Sequence, residues 1–440
     1  MSRTANRRLL SLDLFRGLTI AAMIVVNNQG SGNEGVRFAS VVHAQWHGCS
    51  PADLIFPFFV FIIGVSAAFS LGRRVTTGGS WLPVYRHIFS RTLTIFLLGL
   101  VGWFAAGWLF QSLCPPAVTQ KSIWSIFISP PTDTDVFFYS LANLRIPGVL
   151  QRLALVYLAV SLLVLHTRWQ TQGLVAAALL LAHWGLMALP GFSWEAGQDL
   201  GSWVDRAIFG GAHLYLPTWD PEGLLGTLPA IATGLSGALT AHWLKTERPG
   251  LQKIGGLLLC GILGVVAGRI WGFWLPLNKS LWTSSYVLYT SGFALLFLGG
   301  LYGLTDVHKW RVHWTRPLEW LGSNPLLAYC LSQVGFMALY QLYLGTPGEH
   351  TSLLSTILTA FFGRNWDILG ETSWRDPRWP SLFWGLACLT FWTLVVGPVY
   401  RKLAFLKGSV KLPDGQRPLT WKPVSGLSSA SPGVYRGLTL

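Results

Sequence analysis

Charge is scarce in this chain: 11% of its 440 residues are Asp, Glu, Lys or Arg, against roughly 25% in a soluble globular domain. The shortage excludes an ordinary soluble protein. The five cysteines (Cys49, Cys114, Cys260, Cys330 and Cys388) show no metal-ligand spacing, so no metal centre is expected. Whether Cys49 and Cys114 pair outside the membrane stays open. No A-x-A-like cleavage site follows the N-terminal apolar run, which Asp13 and Arg16 interrupt. That run reads as a retained first helix, not a signal peptide. No internal repeat is evident, and the paired interrupted helices expected of many secondary transporters are missing.

What is present points to lipid. Hydrophobic residues make up 51% of the chain, with 23 Trp, 25 Phe and 48 Gly. Trp favours membrane interfaces, and Gly is commoner in transmembrane helices than in soluble ones. Several apolar stretches reach about 20 residues, enough to cross a hydrocarbon core of roughly 30 Å. The pattern predicts an all-α polytopic membrane helix bundle of about ten spans. They lie near 10–28, 52–71, 89–110, 148–166, 172–190, 223–243, 254–275, 284–304, 318–343 and 381–400. The segment 351–362 is too short to span and reads as a re-entrant or interfacial piece. One transmembrane domain covers 1–405, and a Pro-, Gly- and Ser-rich tail covers 406–440.

The formal net charge is +14, but no basic face alternates with a soluble fold, so nucleic acid is not the expected partner. The charge fits anchoring at one side of a bilayer instead. Alternate loops carry Arg3, Arg7 and Arg8; Arg73, Arg74, Arg86 and Arg91; Lys245, Arg248 and Lys253; and Lys309, Arg311 and Arg316. The opposite loops hold Glu195, Asp199, Asp205, Asp220 and Glu222. This bias places both termini in the cytoplasm.

With that topology, many polar residues converge on the periplasmic side: Asn27, Asn28, His43, Trp46, His47, Asp53, Arg145, Gln151, Arg152, Asp220, Glu222, Asn278 and Lys279. Polar groups at lipid depth are costly, so such a cluster is a functional candidate. Each also has a plainer use. Ser50-Pro51-Ala52-Asp53 is a good helix start, which leaves Asp53 divided between capping and catalytic support. Asp220 and Glu222 suit a cap, Arg145 and Arg152 can pair with them, and Asn278 and Lys279 can shape a loop. His43 has no capping role and suits general-base work, with His47 as its rival. On the cytoplasmic side Asp13 and Arg16 lie one helical turn apart and can pair. Asn324 precedes Pro325 in a helix. The loop with Lys309 and Arg311 either anchors the protein or seats the phosphates of an anionic cofactor.

Seven blocks in the same order resemble the heparan-α-glucosaminide N-acetyltransferase family. They are Ser11–Gly17, Val26-Asn27-Asn28, HAQWHGCSPADLIFPFFVFIIG from His43, RIPGVLQRLALVY from Arg145, WDPEGLLGTLPAI from Trp219, LPLNKSLWTSSYV from Leu275 and GSNPLLAY from Gly322. The resemblance runs from about residue 10 to 400. It implies transfer of acetyl from acetyl-CoA across a membrane to the amino group of a glucosamine, in a bilayer-embedded homodimer. It implies His43 as the active histidine, Asn27 near the acetyl group and Asp53 beside the histidine. His43 would take the amine proton, and Asn27 would donate to the oxyanion. A covalent acetyl-histidine is the competing route. Asp13, Arg16, Lys309, Arg311 and Asn324 are the expected cofactor residues, with phosphates toward the cytoplasm. Trp46, Arg145, Arg152, Asp220, Glu222, Asn278 and Lys279 are the expected acceptor residues. The lysosomal members carry a lumenal domain and an extra helix before this core, whereas this chain begins almost at it. A bacterial inner-membrane relative acting on a small amino sugar or cell-wall fragment is therefore the expectation. A transporter of N-acetylglucosamine-type sugars is the alternative.

Overall fold

The computed structural model describes residues 9–30, 35, 37–75, 81–113, 140–310, 315–344, 351–363, 376 and 378–409. Arg311, Cys114 and most of the expected tail lie outside these. The fold is a helical membrane bundle. Its helices are α1 Leu10–Asn27, α2 Ile55–Val75, α3 Leu82–Leu97, α4 Trp103–Leu113, α5 Val149–His166, α6 Trp169–Met187, α7 Leu200–Phe209 and α8 Leu224–Lys245. They continue as α9 Gly250–Trp271, α10 Ser284–Tyr302, α11 Thr315–Ser323, α12 Pro325–Gln341, α13 Leu353–Phe362 and α14 Arg378–Ser409. A two-residue antiparallel ladder, Tyr343–Leu344 with Thr351–Ser352, precedes α13.

Among the described residues, eight helical segments are long and apolar enough to cross a membrane: Leu10–Asn27, Pro51–Leu71, Leu82–Phe110, Val149–His166, Leu224–Lys245, Gly250–Trp271, Ser284–Val307 and Arg378–Pro398. The other two expected spans are realised differently. The stretch near 172–190 is α6, whose Gln170, Gln172 and His183 lower its apolarity. The stretch 318–343 is broken at Asn324-Pro325 into α11 and α12. Proline has no N–H to continue the ladder and is favoured at the first helical position, so it ends one helix and starts the next. The expected short piece at 351–362 is the ten-residue helix α13.

The core is assembled around α1, α2, α8 and α10. Helices in lipid gain little from hydrophobic exclusion, so close backbone approach decides where they cross. A Cβ on Gly64 of α2 would overlap the Gly234 carbonyl of α8, and one on Gly322 of α11 would overlap the Asp13 carbonyl of α1. The start of α1 has no cap of its own. Asp306, in the π-helical turn Gly303–Val307 after α10, supplies it by accepting from Leu10 N at 3.2 Å and Ser11 N at 3.0 Å. An acid at a helix N-terminus satisfies free N–H groups and complements the helix dipole.

Candidate active site

A cavity of about 770 Å³ runs along α1, α2, α3, α5 and the α11–α12 break. At one end its wall carries Arg16, Ser66, Ser70 and Arg91; at the other it carries Asn27, His43, Glu222 and Lys279. Arg16 and Asn27 are on the same helix, roughly 16 Å apart along its axis. The cavity therefore reaches through much of the depth of the bundle. Its middle is apolar, lined by Ile20, Phe59, Ile63 and Leu153 among others.

The His43 end is built on the loop before α2. Ser50 and Asp53 form a capping box around the short helix Pro51–Leu54. Asp53 Oδ2 accepts from Ser50 N, Ser50 Oγ and Ala44 N, each at 3.0 Å, and Oδ1 accepts from His43 Nδ1 at 2.8 Å. One buried carboxylate thus serves both as cap and as histidine partner. A carboxylate only accepts, so the contact requires the proton on Nδ1 and leaves Nε2 of the neutral ring as an acceptor. The Tyr286 hydroxyl donates to the Asp53 carbonyl at 2.6 Å and ties this turn to α10.

Lys279 joins the pair from the turn between α9 and α10. Its Nζ lies 3.1 Å from His43 Nδ1, 3.4 Å from Nε2 and 3.4 Å from Asp53 Oδ1. Asn278 is fully buried and shapes that turn, accepting from Leu281 N at 2.9 Å and placing Nδ2 at 3.4 Å from His47 Nδ1. Gly48 N donates to the Leu277 carbonyl at 2.7 Å, stitching the two loops together. His47 faces Glu195 at 3.9 Å and does not line the cavity, whereas His43 does. Burial, reinforced by Asp53, pushes the Cys49 thiol up to about 12, which leaves it unreactive.

Arg145 holds Asp220 in a bidentate pair at 2.8 and 2.7 Å and also bonds Glu222. Burial opposes its charge, but these carboxylates outweigh that and raise its pKa above the ordinary arginine value. Arg152 does not join them as expected. It is buried, donates to the Gly223 carbonyl at 2.9 Å and stacks over Trp282 at 5.1 Å. Trp46 donates to the Trp194 carbonyl at 2.7 Å and packs edge-on against Trp219. Both border a separate cavity of only about 20 Å³. Of the expected acceptor residues, Glu222 and Lys279 therefore line the large cavity. Trp46, Arg145, Arg152, Asp220 and Asn278 are held in its supporting structure.

At the opposite end Arg16 pairs with Asp13 at 3.0 Å and donates to Ser66 Oγ at 2.6 Å. Asn324 forms the α11–α12 break, and its neighbours Ser323 and Pro325 line the cavity. Lys309 is exposed, in a left-handed conformation at φ 55°, and is not part of the lining. Arg91, which was not among the expected cofactor residues, lines the cavity and lies over the Tyr157 ring at 5.0 Å. Its signal was a cation inside the apolar run of α3, which polar-residue logic can flag but positive-side counting absorbs. Among the described residues no cluster of His, Cys, Asp or Glu is arranged to hold a metal ion.

No family model matches the chain. It is 24% identical over 465 aligned positions to the heparan-alpha-glucosaminide N-acetyltransferase of Mus musculus, covering 92% of this chain and 61% of that protein. With the Homo sapiens protein of the same name it is 26% identical over 459 positions, covering 91% and 60%. The chain thus spans about three-fifths of the length of these relatives. The chain is thus similar to heparan-α-glucosaminide N-acetyltransferases of two mammals along about nine-tenths of its own length.

Proposed function

We propose that this protein is a transmembrane acetyltransferase. It takes acetyl from acetyl-CoA entering at the Arg16 and Arg91 end and delivers it to an amino sugar bound at His43. The observation that carries this reading is the single cavity joining a cationic end to a histidine–carboxylate pair. Arg16 and Arg91 suit the phosphates of CoA, because charge-assisted hydrogen bonds from guanidinium groups match phosphate oxygens. The apolar middle suits the thin pantetheine arm. His43 Nε2, held by Asp53 through Nδ1, takes the proton of the attacking amine. Asp53 keeps the ring oriented and favours the imidazolium that forms.

The acceptor is proposed to be a small amino sugar or oligosaccharide. The proposed setting is a bacterial inner membrane, with the His43 end periplasmic. The loop charge bias supports that orientation. Mass spectrometry of the purified protein incubated with acetyl-CoA and a panel of amino sugars tests the reading. Acetylated sugar and free CoA in equal amounts are expected. Sugar movement into vesicles with acetyl-CoA untouched would replace the enzyme with a transporter.

A further inference from the structure

Lys279 is the cation nearest the reacting atom, and its proton inventory separates it from a structural lysine. Asp53 Oδ2 is engaged by Ala44 N, Ser50 N and Ser50 Oγ, and Oδ1 by His43 Nδ1 at 2.8 Å. Lys279 Nζ stands farther off, 3.4 Å from Oδ1, in an ion pair that is too long for a close hydrogen bond. His43 Nδ1 carries the proton given to Asp53, so it cannot also accept from Lys279 despite the 3.1 Å separation. Glu222, the other carboxylate on this part of the wall, is bound by Arg145. Lys279 thus brings its ammonium donors to the cavity wall with no carboxylate hydrogen bond consuming them. Its Nζ stands 3.4 Å from Nε2, the atom that receives the proton.

The turn that presents Lys279 is fixed before any substrate arrives. Trp282 N donates to the Lys279 carbonyl at 3.1 Å, and Thr283 N to the Asn278 carbonyl at 3.1 Å. Trp282 itself is fully buried at φ 53°, a left-handed conformation that a bulky side chain holds only when its surroundings enforce it. Donors held in place in advance are the ones that stabilise developing charge most effectively.

We propose that Lys279 is a catalytic residue that donates a hydrogen bond to the oxyanion of the transferring acetyl group. This rests on the acetyltransferase reading above. The acceptor nitrogen bonds to the carbonyl carbon while its proton passes to His43 Nε2, and the carbonyl π pair moves onto oxygen. Lys279 stabilises that oxygen and keeps all its protons. The pair then returns, the carbon–sulfur bond breaks, and the departing thiolate takes the proton from His43. Asn27 also lies on the cavity wall.

The test uses the full-length protein in detergent, with acetyl-CoA and glucosamine as probes, comparing wild type with Lys279→Met and Lys279→Arg. Lys279→Met should lower kcat by about 10²–10³-fold, while calorimetric affinity for acetyl-CoA and the thermal midpoint stay near wild type. Lys279→Arg should recover part of the rate. Wild-type kcat in Lys279→Met, or a loss confined to KM, overturns the proposal and leaves the acetyltransferase reading standing. A wild-type protein that consumes no acetyl-CoA removes both. If Lys279→Met does not fold, Lys279→Gln decides on the same criteria.

Discussion

At the His43 end of the cavity, charged groups are held in networks: Asp53 by His43, Ala44 and Ser50 of its own loop, and Arg145 by Asp220 and Glu222 from a distant one. At the Arg16 end the partners of the cations include a neighbouring aspartate, a serine hydroxyl and a tyrosine ring. Fixed geometry is what a reacting centre needs, because catalytic groups lose effect when displaced by as little as about 1 Å. Guanidinium groups on a cavity wall are what an exchangeable anionic ligand needs. The difference predicts that substitutions at one end cost rate or stability, and at the other cost donor affinity.

The largest effect should come from His43→Ala. A general base contributes about 10²–10⁴-fold to rate, so acetyl transfer should nearly vanish while acetyl-CoA binding, read by calorimetry, persists. Loss of binding instead would erase the contrast between the ends.

Arg145→Met should follow, as a stability effect. Removing the half-buried Arg145 leaves the buried Asp220 carboxylate with only the backbone donors of Tyr215 and Glu222, and losing a charge-assisted hydrogen bond costs about 1.5–3 kcal/mol. A lower thermal midpoint in detergent is expected, and an unchanged one would show the pair to be dispensable.

Neutralising Arg16 and Arg91 together should weaken acetyl-CoA binding about tenfold or more, since hydrogen bonds to charged groups contribute roughly 1.5–3 kcal/mol. Wild-type binding should weaken with added salt, because exposed charge pairs are screened. Unchanged affinity in the double variant would send the phosphates elsewhere.

The smallest effect concerns Asp205, on α7 at the His43 end, whose carboxylate accepts from Leu224 N at the start of α8. Burial pushes its pKa up to about 6, against the pull of that N–H. The folded state therefore prefers the protonated acid. The associated stability is present at low pH and is lost as pH rises from the unfolded value toward and past about 6. Relative to Asp205→Asn, wild type should lose about 1 kcal/mol between pH 5 and pH 7. A constant difference between the two proteins would mean that Asp205 is ionised throughout.

Much of this was legible in the residues. The spans of α1, α2, α5, α8, α9 and α10 stand out because uninterrupted apolar runs of the right length have few other uses. The Arg145 pair could be anticipated from charge and the Ser50–Asp53 box from helix-start chemistry. The role of Arg152 could not, because its one hydrogen bond goes to a backbone carbonyl and its guanidinium lies over a ring, while Nε and Nη1 are buried without a partner. Arg91 and Lys309 look alike as basic residues on one side of a bilayer. Only the path of the cavity separates them. The break at Asn324 was hidden because Pro325 sits in an apolar stretch, and a proline there can kink a span as easily as divide it.

The central claim is that one cavity carries acetyl from one side of a membrane to the other. Oriented proteoliposomes given acetyl-CoA only on the Arg16 side and glucosamine only on the His43 side test it most directly, with mass spectrometry of both compartments. The account predicts N-acetylglucosamine on the His43 side, free CoA on the Arg16 side, and neither with His43→Ala. Product that forms only when both substrates share one compartment would contradict it.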